Sequence, residues 1–208
     1  MRRHHRPVGR MTMALLIVCS VLMGTAPADQ HTHAAHAALP PGTFSETSLY
    51  QLASTWTTAT AQQIRLGELH GKVQILAMIS TTCDAACPLI VNVMQQLEAS
   101  LPDELRPQVG CVLVTFDPQR DTPEVLRAYS ERMHLDLQHW ALLHGRPDDV
   151  FELAVLLGVT YRQQKTGGFA HTNLITVLNK RGEIVHRQER LAQSTDDTLA
   201  AIRKAVQD

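Results

Sequence analysis

Two apolar runs joined by an amphipathic helix constrain the fold more than any other feature of this chain. Val73–Ile79 and Val109–Phe116 contain almost no charged or polar side chains, which is typical of strands covered on both faces. Between them, apolar residues recur at helical spacing from Leu89 to Leu101, and Pro102 ends the helix. The order strand, helix, strand predicts a parallel, helix-covered sheet.

The remaining chain extends this pattern into a mixed sheet. Asp121-Thr122, with Pro123 at the first helical position, begins a second helix that runs to about Met133. The other predicted elements are strands Leu52–Thr58, Gln63–Leu66, Trp140–Leu143, Thr172–Leu178 and Glu183–Arg187, and helices Asp148–Leu157 and Thr195–Val206. The predicted fold class is therefore α/β, a thioredoxin-like three-layer fold with a central mixed sheet and an N-terminal hairpin.

Residues 1–28 have the pattern of a secretory signal peptide. A basic start precedes the apolar run Met11–Met23, and Ala26-Pro27-Ala28 supplies the small residues of a cleavage site. The run is shorter than the roughly 17 to 25 residues that span a bilayer. We therefore expect export with cleavage after Ala28, and a membrane anchor through residues 11–23 is the alternative. Either location is extracytoplasmic, in the periplasm or at the outer face of the cytoplasmic membrane.

Residues 29–48 are rich in His, Ala and Pro and are predicted to form a flexible leader before a domain at 49–208. Cleavage after Ala28 would create an N-terminus with His31 at the third position. The free amine, two backbone amides and that imidazole can bind Cu(II) in a square plane. His31, with His33 and His36, is thus a candidate secondary Cu(II) site, and a His-rich tract without a specific role is the alternative.

Charge and cysteine content exclude several classes of protein. The net charge is -1, from 19 Lys+Arg and 20 Asp+Glu, so no basic surface for nucleic acid is expected. After the signal, the cysteines are Cys83, Cys87 and Cys111, which allow at most one intramolecular disulfide and exclude a disulfide framework. Cys111 lies in an apolar strand and is expected to be buried and inert.

Cys83 and Cys87 lie between a strand end and a helix start, followed by Pro88. Free backbone N–H groups and the helix dipole favour thiolates there, so both sulfurs are expected to deprotonate readily. Three residues separate the cysteines, which allows them to hold a metal ion or to form a disulfide on oxidation. The spacing therefore permits copper binding and redox chemistry, and a purely structural disulfide is a further alternative.

Two thiolates and one imidazole suit the soft ion Cu(I), so a histidine ligand is expected beside the two cysteines. His171 is favoured because it precedes strand Thr172–Leu178, whose start faces the cysteine loop in a thioredoxin fold. The other candidates are His70, His134, His139, His144 and His186. Nearby, Asp117 and Asp121 flank Arg120 and are expected to cap a helix and form a salt bridge.

These motifs together resemble the Sco/SenC family, copper-binding thioredoxin-fold proteins associated with cytochrome c oxidase assembly. The resemblance covers roughly residues 49–191. It rests on Leu69-His70-Gly71-Lys72, Cys83–Pro88, Asp117–Glu124, Gly145-Arg146-Pro147 and His171. It implies that Cys83, Cys87 and His171 bind copper. Family members often place an Asp directly before the histidine, where this chain has Ala170.

The resemblance implies a Cu(I) metallochaperone that helps to assemble the CuA site of cytochrome c oxidase, by copper delivery or by cysteine reduction. Its expected partner is the CuA-bearing subunit or another extracytoplasmic copper protein. The alternative is an extracytoplasmic thiol-disulfide oxidoreductase that uses Cys83 and Cys87. Such reductases usually carry a proline before the strand predicted at Thr172–Leu178, and the sequence there is Phe169-Ala170-His171. This absence favours the chaperone, with no catalytic residue beyond the redox pair.

Overall fold

The structure is a computed structural model and describes residues 44–165 and 168–208. Its strands are β1 (Thr55–Thr58), β2 (Gln63–Arg65), β3 (Val73–Ile79), β4 (Val109–Thr115), β5 (Trp140–His144), β6 (Tyr161–Gln163), β7 (Phe169–His171), β8 (Ile175–Leu178) and β9 (Ile184–Gln188). Its α-helices are α1 (Ala86–Ala99), α2 (Pro123–Arg132), α3 (Pro147–Leu157) and α4 (Asp196–Gln207). Short 3-10 helices cover Leu49–Gln51, Leu66–Leu69 and Arg106–Gln108.

Seven strands form a mixed sheet in the order β2-β1-β5-β4-β3-β8-β9. β4 lies parallel to both β3 and β5, whereas β8 is antiparallel to β3 and to β9. The N-terminal hairpin of β1 and β2 joins the opposite edge, where β1 pairs antiparallel with β5. This arrangement confirms the predicted thioredoxin-like α/β fold.

The predicted central strand Val73–Ile79 has the bounds of β3, and every side chain in it is buried. Because successive side chains of a strand point to opposite faces, complete burial means that the sheet is covered on both sides. Helices α1 and α4 both contact β3, and α2 contacts β5. The carboxyl end of β3 therefore leads directly from the centre of the core into the cysteine loop.

The start of α2 follows ordinary capping chemistry. Thr122 is the N-cap of α2, where its side chain accepts a hydrogen bond from the backbone N–H of Val125, and Pro123 occupies the first turn. Helix α1 begins at Ala86, earlier than the apolar spacing from Leu89 indicated. Cys87 therefore belongs to the first turn of α1 and not to the loop before it.

The residues just before Leu49 lie against the domain. Ser45 Oγ donates a hydrogen bond to Glu183 Oε1 over 2.5 Å, and Leu49 N donates to Gly182 O over 3.0 Å. The rings of Phe44 and Tyr50 meet edge to face with centroids 5.4 Å apart. Residues 44–48, assigned from the sequence to the end of the leader, thus contact the turn between β8 and β9.

Gly182 in that turn has φ +78°, and a Cβ atom there would overlap the ring of Tyr50. Both the backbone conformation and the close approach require glycine. The turn is therefore held tightly against the start of the domain.

A separate two-stranded sheet, β6 and β7, was not predicted. It pairs Tyr161 with His171. The strand expected at Thr172–Leu178 begins only at Ile175, so His171 ends β7 and does not stand at the start of a central strand. The reason is local pairing: Thr172 N donates to Thr160 O over 2.9 Å, and Thr160 N donates to Thr172 Oγ1 over 2.7 Å.

Among the described residues, no helix has the length and apolar character needed to cross a membrane. The predicted signal peptide and the leader up to residue 43 lie outside the described residues.

Candidate metal centre

Cys83 and Cys87 lie together at the junction of the cysteine loop and α1. Cys87 is completely buried, whereas Cys83 in the loop before the helix is half-buried. Cys87 N donates a hydrogen bond to Cys83 Sγ over 3.3 Å, and Ser80 N donates to Cys87 Sγ over 3.5 Å. Backbone N–H groups from both sides of the loop thus donate hydrogen bonds to the two sulfurs, as expected at a helix start.

His171 completes a three-donor cluster. Its Nε2 atom lies 3.7 Å from Cys83 Sγ and 3.6 Å from Cys87 Sγ. Its Nδ1 atom lies 3.2 Å from Thr172 O, a carbonyl that can only accept a hydrogen bond. Nε2 faces both sulfurs, where it can donate a hydrogen bond to a thiolate or, without its proton, bind a metal ion.

The three donor atoms all lie within 4.8 Å of one another, the only such group among the described residues. A cleft of about 430 Å³, lined in part by Cys83, His171 and Asn173, leads from the surface to the cluster. Two thiols and one imidazole are a soft donor set that fits Cu(I) better than hard oxygen-preferring cations. The predicted ligands are thus brought together at a site that solvent can reach.

Phe116 packs against the histidine and is itself in contact with two further aromatic side chains. The Phe116 ring lies with its centroid 4.9 Å from that of His171. Tyr161 stacks on Phe116 at 5.4 Å, and Phe169 meets Phe116 edge to face at 5.3 Å. Sequence reasoning missed this aromatic cluster, defined here as Phe116, Tyr161 and Phe169. The available signal was the placement of Tyr161 and Phe169 on either side of a Gly-containing turn.

The two thiols differ in acidity. Partial burial alone would raise the pKa of Cys83, but hydrogen bonds from His171 and from the N–H of Cys87 outweigh it and lower the pKa to about 7. Burial raises the pKa of Cys87 well above its usual range, and the neighbouring Cys83 charge raises it further. The expectation that both sulfurs deprotonate readily is therefore wrong for Cys87, because the packing of α1 removes it from water.

Asp117 and Asp121 have different surroundings. Asp117 Oδ2 lies 2.5 Å from Arg120 Nε, so the expected salt bridge is confirmed. Asp121 does not cap α2, because Thr122 does. Instead the Asp121 carboxylate is completely buried and accepts hydrogen bonds from Thr81 N at 3.0 Å and Thr115 Oγ1 at 2.5 Å.

Within residues 44–165 and 168–208, the other cysteine and the other histidines lie outside the cluster. Cys111 is 2% exposed, as expected, and burial raises its pKa well above the usual range. His70, His144 and His186 hydrogen-bond to Gly67 O, Asp121 O and Thr198 Oγ1 respectively. His31, His33 and His36, the candidate Cu(II) ligands of the leader, lie outside the described residues.

Comparison with known proteins places these features in one family. A family model described as SCO1/SenC matches residues 45–207. A Stutzerimonas stutzeri protein whose name describes it as copper-binding is 43% identical over 61 residues, 29% of this chain and 30% of that protein. An SCO1 protein homolog of Bacillus subtilis is 26% identical over 91 residues, 44% of this chain and 47% of its own length. The chain thus matches less than half of the length of these curated relatives.

Solved structures share the fold. A SCO1/SenC family lipoprotein from Bacillus anthracis superposes with a TM-score of 0.66 at 20% identity, covering 73% of this chain and 91% of that one. Yeast Sco1, solved with copper bound, gives a TM-score of 0.63 at 19% identity, covering 74% of this chain and 87% of that one. At these identities the structures support the fold alone.

Proposed function

The chain belongs to the SCO1/SenC family, and from this premise we propose that it is an extracytoplasmic Cu(I)-binding protein that passes the ion to another copper protein. Cys83, Cys87 and His171 are the proposed ligands. The observation that carries the proposal is that their donor atoms lie within 4.8 Å of one another. A single copper ion can reach all three with only small movements of the side chains.

The charge of the donor set supports copper(I) as the cargo. Two thiolates and a neutral imidazole around a monovalent ion leave a net charge of minus one or, if one thiol keeps its proton, zero. The burial of Cys87 makes its free thiolate costly, but a bound cation offsets that cost and releases the thiol proton. Copper loading is therefore coupled to proton release from this residue.

Relatives support the choice of recipient and location. A solved protein named BsSco is described as a member of the Sco family of cytochrome c oxidase assembly proteins. We propose the CuA-bearing subunit of cytochrome c oxidase as the recipient, with another extracytoplasmic copper protein as the alternative. The lipoprotein relative supports an extracytoplasmic location, which agrees with the signal peptide proposed at residues 1–28.

Titration of the reduced protein with Cu(I) against a competing chelator tests the proposal. We expect one ion per chain, and X-ray absorption should show two sulfur ligands and one nitrogen ligand. Cys83→Ser, Cys87→Ser and His171→Ala should each weaken binding. The matched controls are Cys111→Ala and His139→Ala, which change a buried thiol and an exposed imidazole outside the cluster. An equal loss of Cu(I) affinity in the control variants, or an X-ray absorption spectrum without a nitrogen ligand, would refute the proposed ligand set.

A second candidate, thiol-disulfide exchange, is supported by the unequal acidity of the cysteines. A thiol with a pKa of about 7, as at Cys83, combines an appreciable thiolate fraction with good nucleophilicity, and Cys87 would act as the resolving thiol. An insulin-reduction assay separates the two candidates. Turnover by the metal-free wild type would favour the reductase, because exchange between a thiol and a disulfide does not need a bound metal ion.

A further inference from the structure

The segment Phe116–Asp121, which joins β4 to α2, contacts both halves of the metal centre. Cys83 belongs to the loop after β3 and Cys87 to the first turn of α1, whereas the histidine belongs to the separate β6–β7 hairpin. These two parts come from distant regions of the chain, so their relative position depends on whatever touches both. We call Phe116–Asp121 the bridging segment.

Asp121 ties the bridging segment to the cysteine half. Its buried carboxylate accepts hydrogen bonds from both the backbone N–H and the hydroxyl of Thr81, at 3.0 Å and 2.5 Å. Thr81 lies two positions before Cys83 in the loop. A third bond, from Thr115 Oγ1 at the end of β4, fixes the carboxylate to the sheet. The loop that carries Cys83 is therefore anchored to β4 through a charged acceptor, and bonds to a charged group are the stronger kind.

Arg120 ties the bridging segment to the histidine half. Its guanidinium lies 5.6 Å from the centroid of the Phe169 ring, over the face of a residue two positions before His171. The same guanidinium donates to Asp117 Oδ2 over 2.5 Å, and Asp117 is only 5% exposed. Because Asp117 fixes the direction of Arg120, the cation holds Phe169 and hence the end of β7.

Two further contacts complete the link. Ser80 Oγ, in the cysteine loop, lies 3.4 Å from Asp117 Oδ2. At the other end, Phe116 packs directly on the His171 ring. A continuous series of contacts thus runs from the cysteine loop through Asp117 and Arg120 to the hairpin.

We propose that the bridging segment positions the ligands, with Asp121 fixing the cysteine loop and Arg120 seating the histidine hairpin. Neither residue touches the proposed ion, so both are positioning residues. The inference rests on the proposed function insofar as the cluster binds Cu(I). The placement of His171 against the sulfurs is a property of the metal-free protein and can be measured without copper.

If Arg120 and Thr81 only stabilised the fold, their replacement would lower thermal stability and leave the arrangement of the folded metal centre unchanged. The test therefore compares Arg120→Met, which keeps the aliphatic stem and removes the charge, with Arg106→Met. Arg106 forms a similar i,i+3 ion pair with Asp103 and does not contact the centre. Since Asp121→Asn risks unfolding by disturbing a buried group, Thr81→Val replaces it and removes only the hydroxyl bond to Asp121.

The full chain is measured in two states. In the reduced, metal-free protein, Arg120→Met should shift or broaden the NMR signals of the His171 ring and leave those of His139 unchanged. In the copper-loaded protein, Arg120→Met and Thr81→Val should each lower the Cu(I) affinity about 10- to 100-fold, the usual effect of removing an outer-shell partner. Arg120→Met should also reduce the nitrogen contribution to the absorption spectrum, and Arg106→Met should match the wild type.

Unchanged His171 signals in Arg120→Met, together with affinities within about twofold of the wild type in both variants, would overturn the inference. Failure of the wild type to bind Cu(I) would instead refute the proposed function. The NMR comparison of the metal-free proteins would then decide the inference alone, because it does not depend on copper.

Discussion

Cys83 and His171 are 88 positions apart in the sequence, and their side chains meet with Sγ 3.7 Å from Nε2. The contact joins the loop after a central strand to the end of a peripheral hairpin. The hydrogen bond also contributes to the low pKa of Cys83. One contact therefore both assembles the donor set and activates its more accessible thiol.

Alkylation of the reduced protein should report this activation. The thiolate fraction of Cys83 should rise as the pH passes about 7, whereas Cys87 should stay protonated over the same range. Because only the thiolate reacts, Cys83 should be labelled by iodoacetamide at least about tenfold faster than Cys87 at neutral pH. Peptide mass spectrometry across pH 5 to 9 measures both rates. Faster labelling of Cys87 would contradict the assigned acidities.

Air oxidation should abolish Cu(I) binding. We expect a disulfide between Cys83 and Cys87, which offers no thiolate to the ion. Cys111 should remain reduced and unlabelled under native conditions, because it is buried in β4. Mass spectrometry after native alkylation, followed by copper titration with and without a reductant, checks both statements. Rapid labelling of Cys111 would show that β4 is accessible.

The turn that contacts the start of the domain should be sensitive to glycine replacement. Gly158 (φ +81°) and Gly182 (φ +78°) share a left-handed backbone, but only at Gly182 would a Cβ overlap Tyr50. Gly158→Ala should lower the free energy of unfolding by about 1 kcal/mol from backbone strain. Gly182→Ala should cost about 3 kcal/mol because overpacking adds to the same strain. Urea denaturation measures the free energy of unfolding of both variants. Equal decreases in the two would exclude the steric contribution of Tyr50.

Cleavage of the signal after Ala28 would give a mature N-terminus with His31 at the third position. We expect Cu(II) to bind there in a square plane of four nitrogens, with a visible absorption band. N-terminal sequencing of the exported protein should be followed by Cu(II) titration of the mature form and of His31→Ala. An unchanged band and affinity in the variant would assign no such site to the leader.

The strength of the sequence signal decided which parts of the fold could be predicted. β3 was predicted with its observed bounds because Gln74 is the only polar residue in its apolar run, and α2 because Thr122 and Pro123 mark its start. β6 and β7 escaped prediction because three-residue strands such as Tyr161–Gln163 have no measurable period. The packing of their aromatic residues on Phe116 stabilises them, and this contact is distant in sequence.

In the candidate site too, local sequence predicted some features, and contacts between distant parts of the chain decided the others. The three residues that the structure brings together, Cys83, Cys87 and His171, were predictable as candidate ligands from residue type and spacing, together with the family resemblance. The unequal acidity of Cys83 and Cys87 was not, since it depends on how deeply α1 buries one of two similar thiols. The role of Asp121 was also missed, because its partners Thr81 and Thr115 are assembled by the sheet and not by local sequence.

The unequal exposure of the two sulfurs would give the proposed copper handover a direction. Cys87 is completely enclosed, while Cys83 and His171 border the cleft. An incoming thiol from an acceptor protein can therefore approach the ion only from the side of Cys83 and His171. These two donors would be displaced first and Cys87 last, so that the ion stays attached to its carrier until the acceptor has supplied ligands of its own.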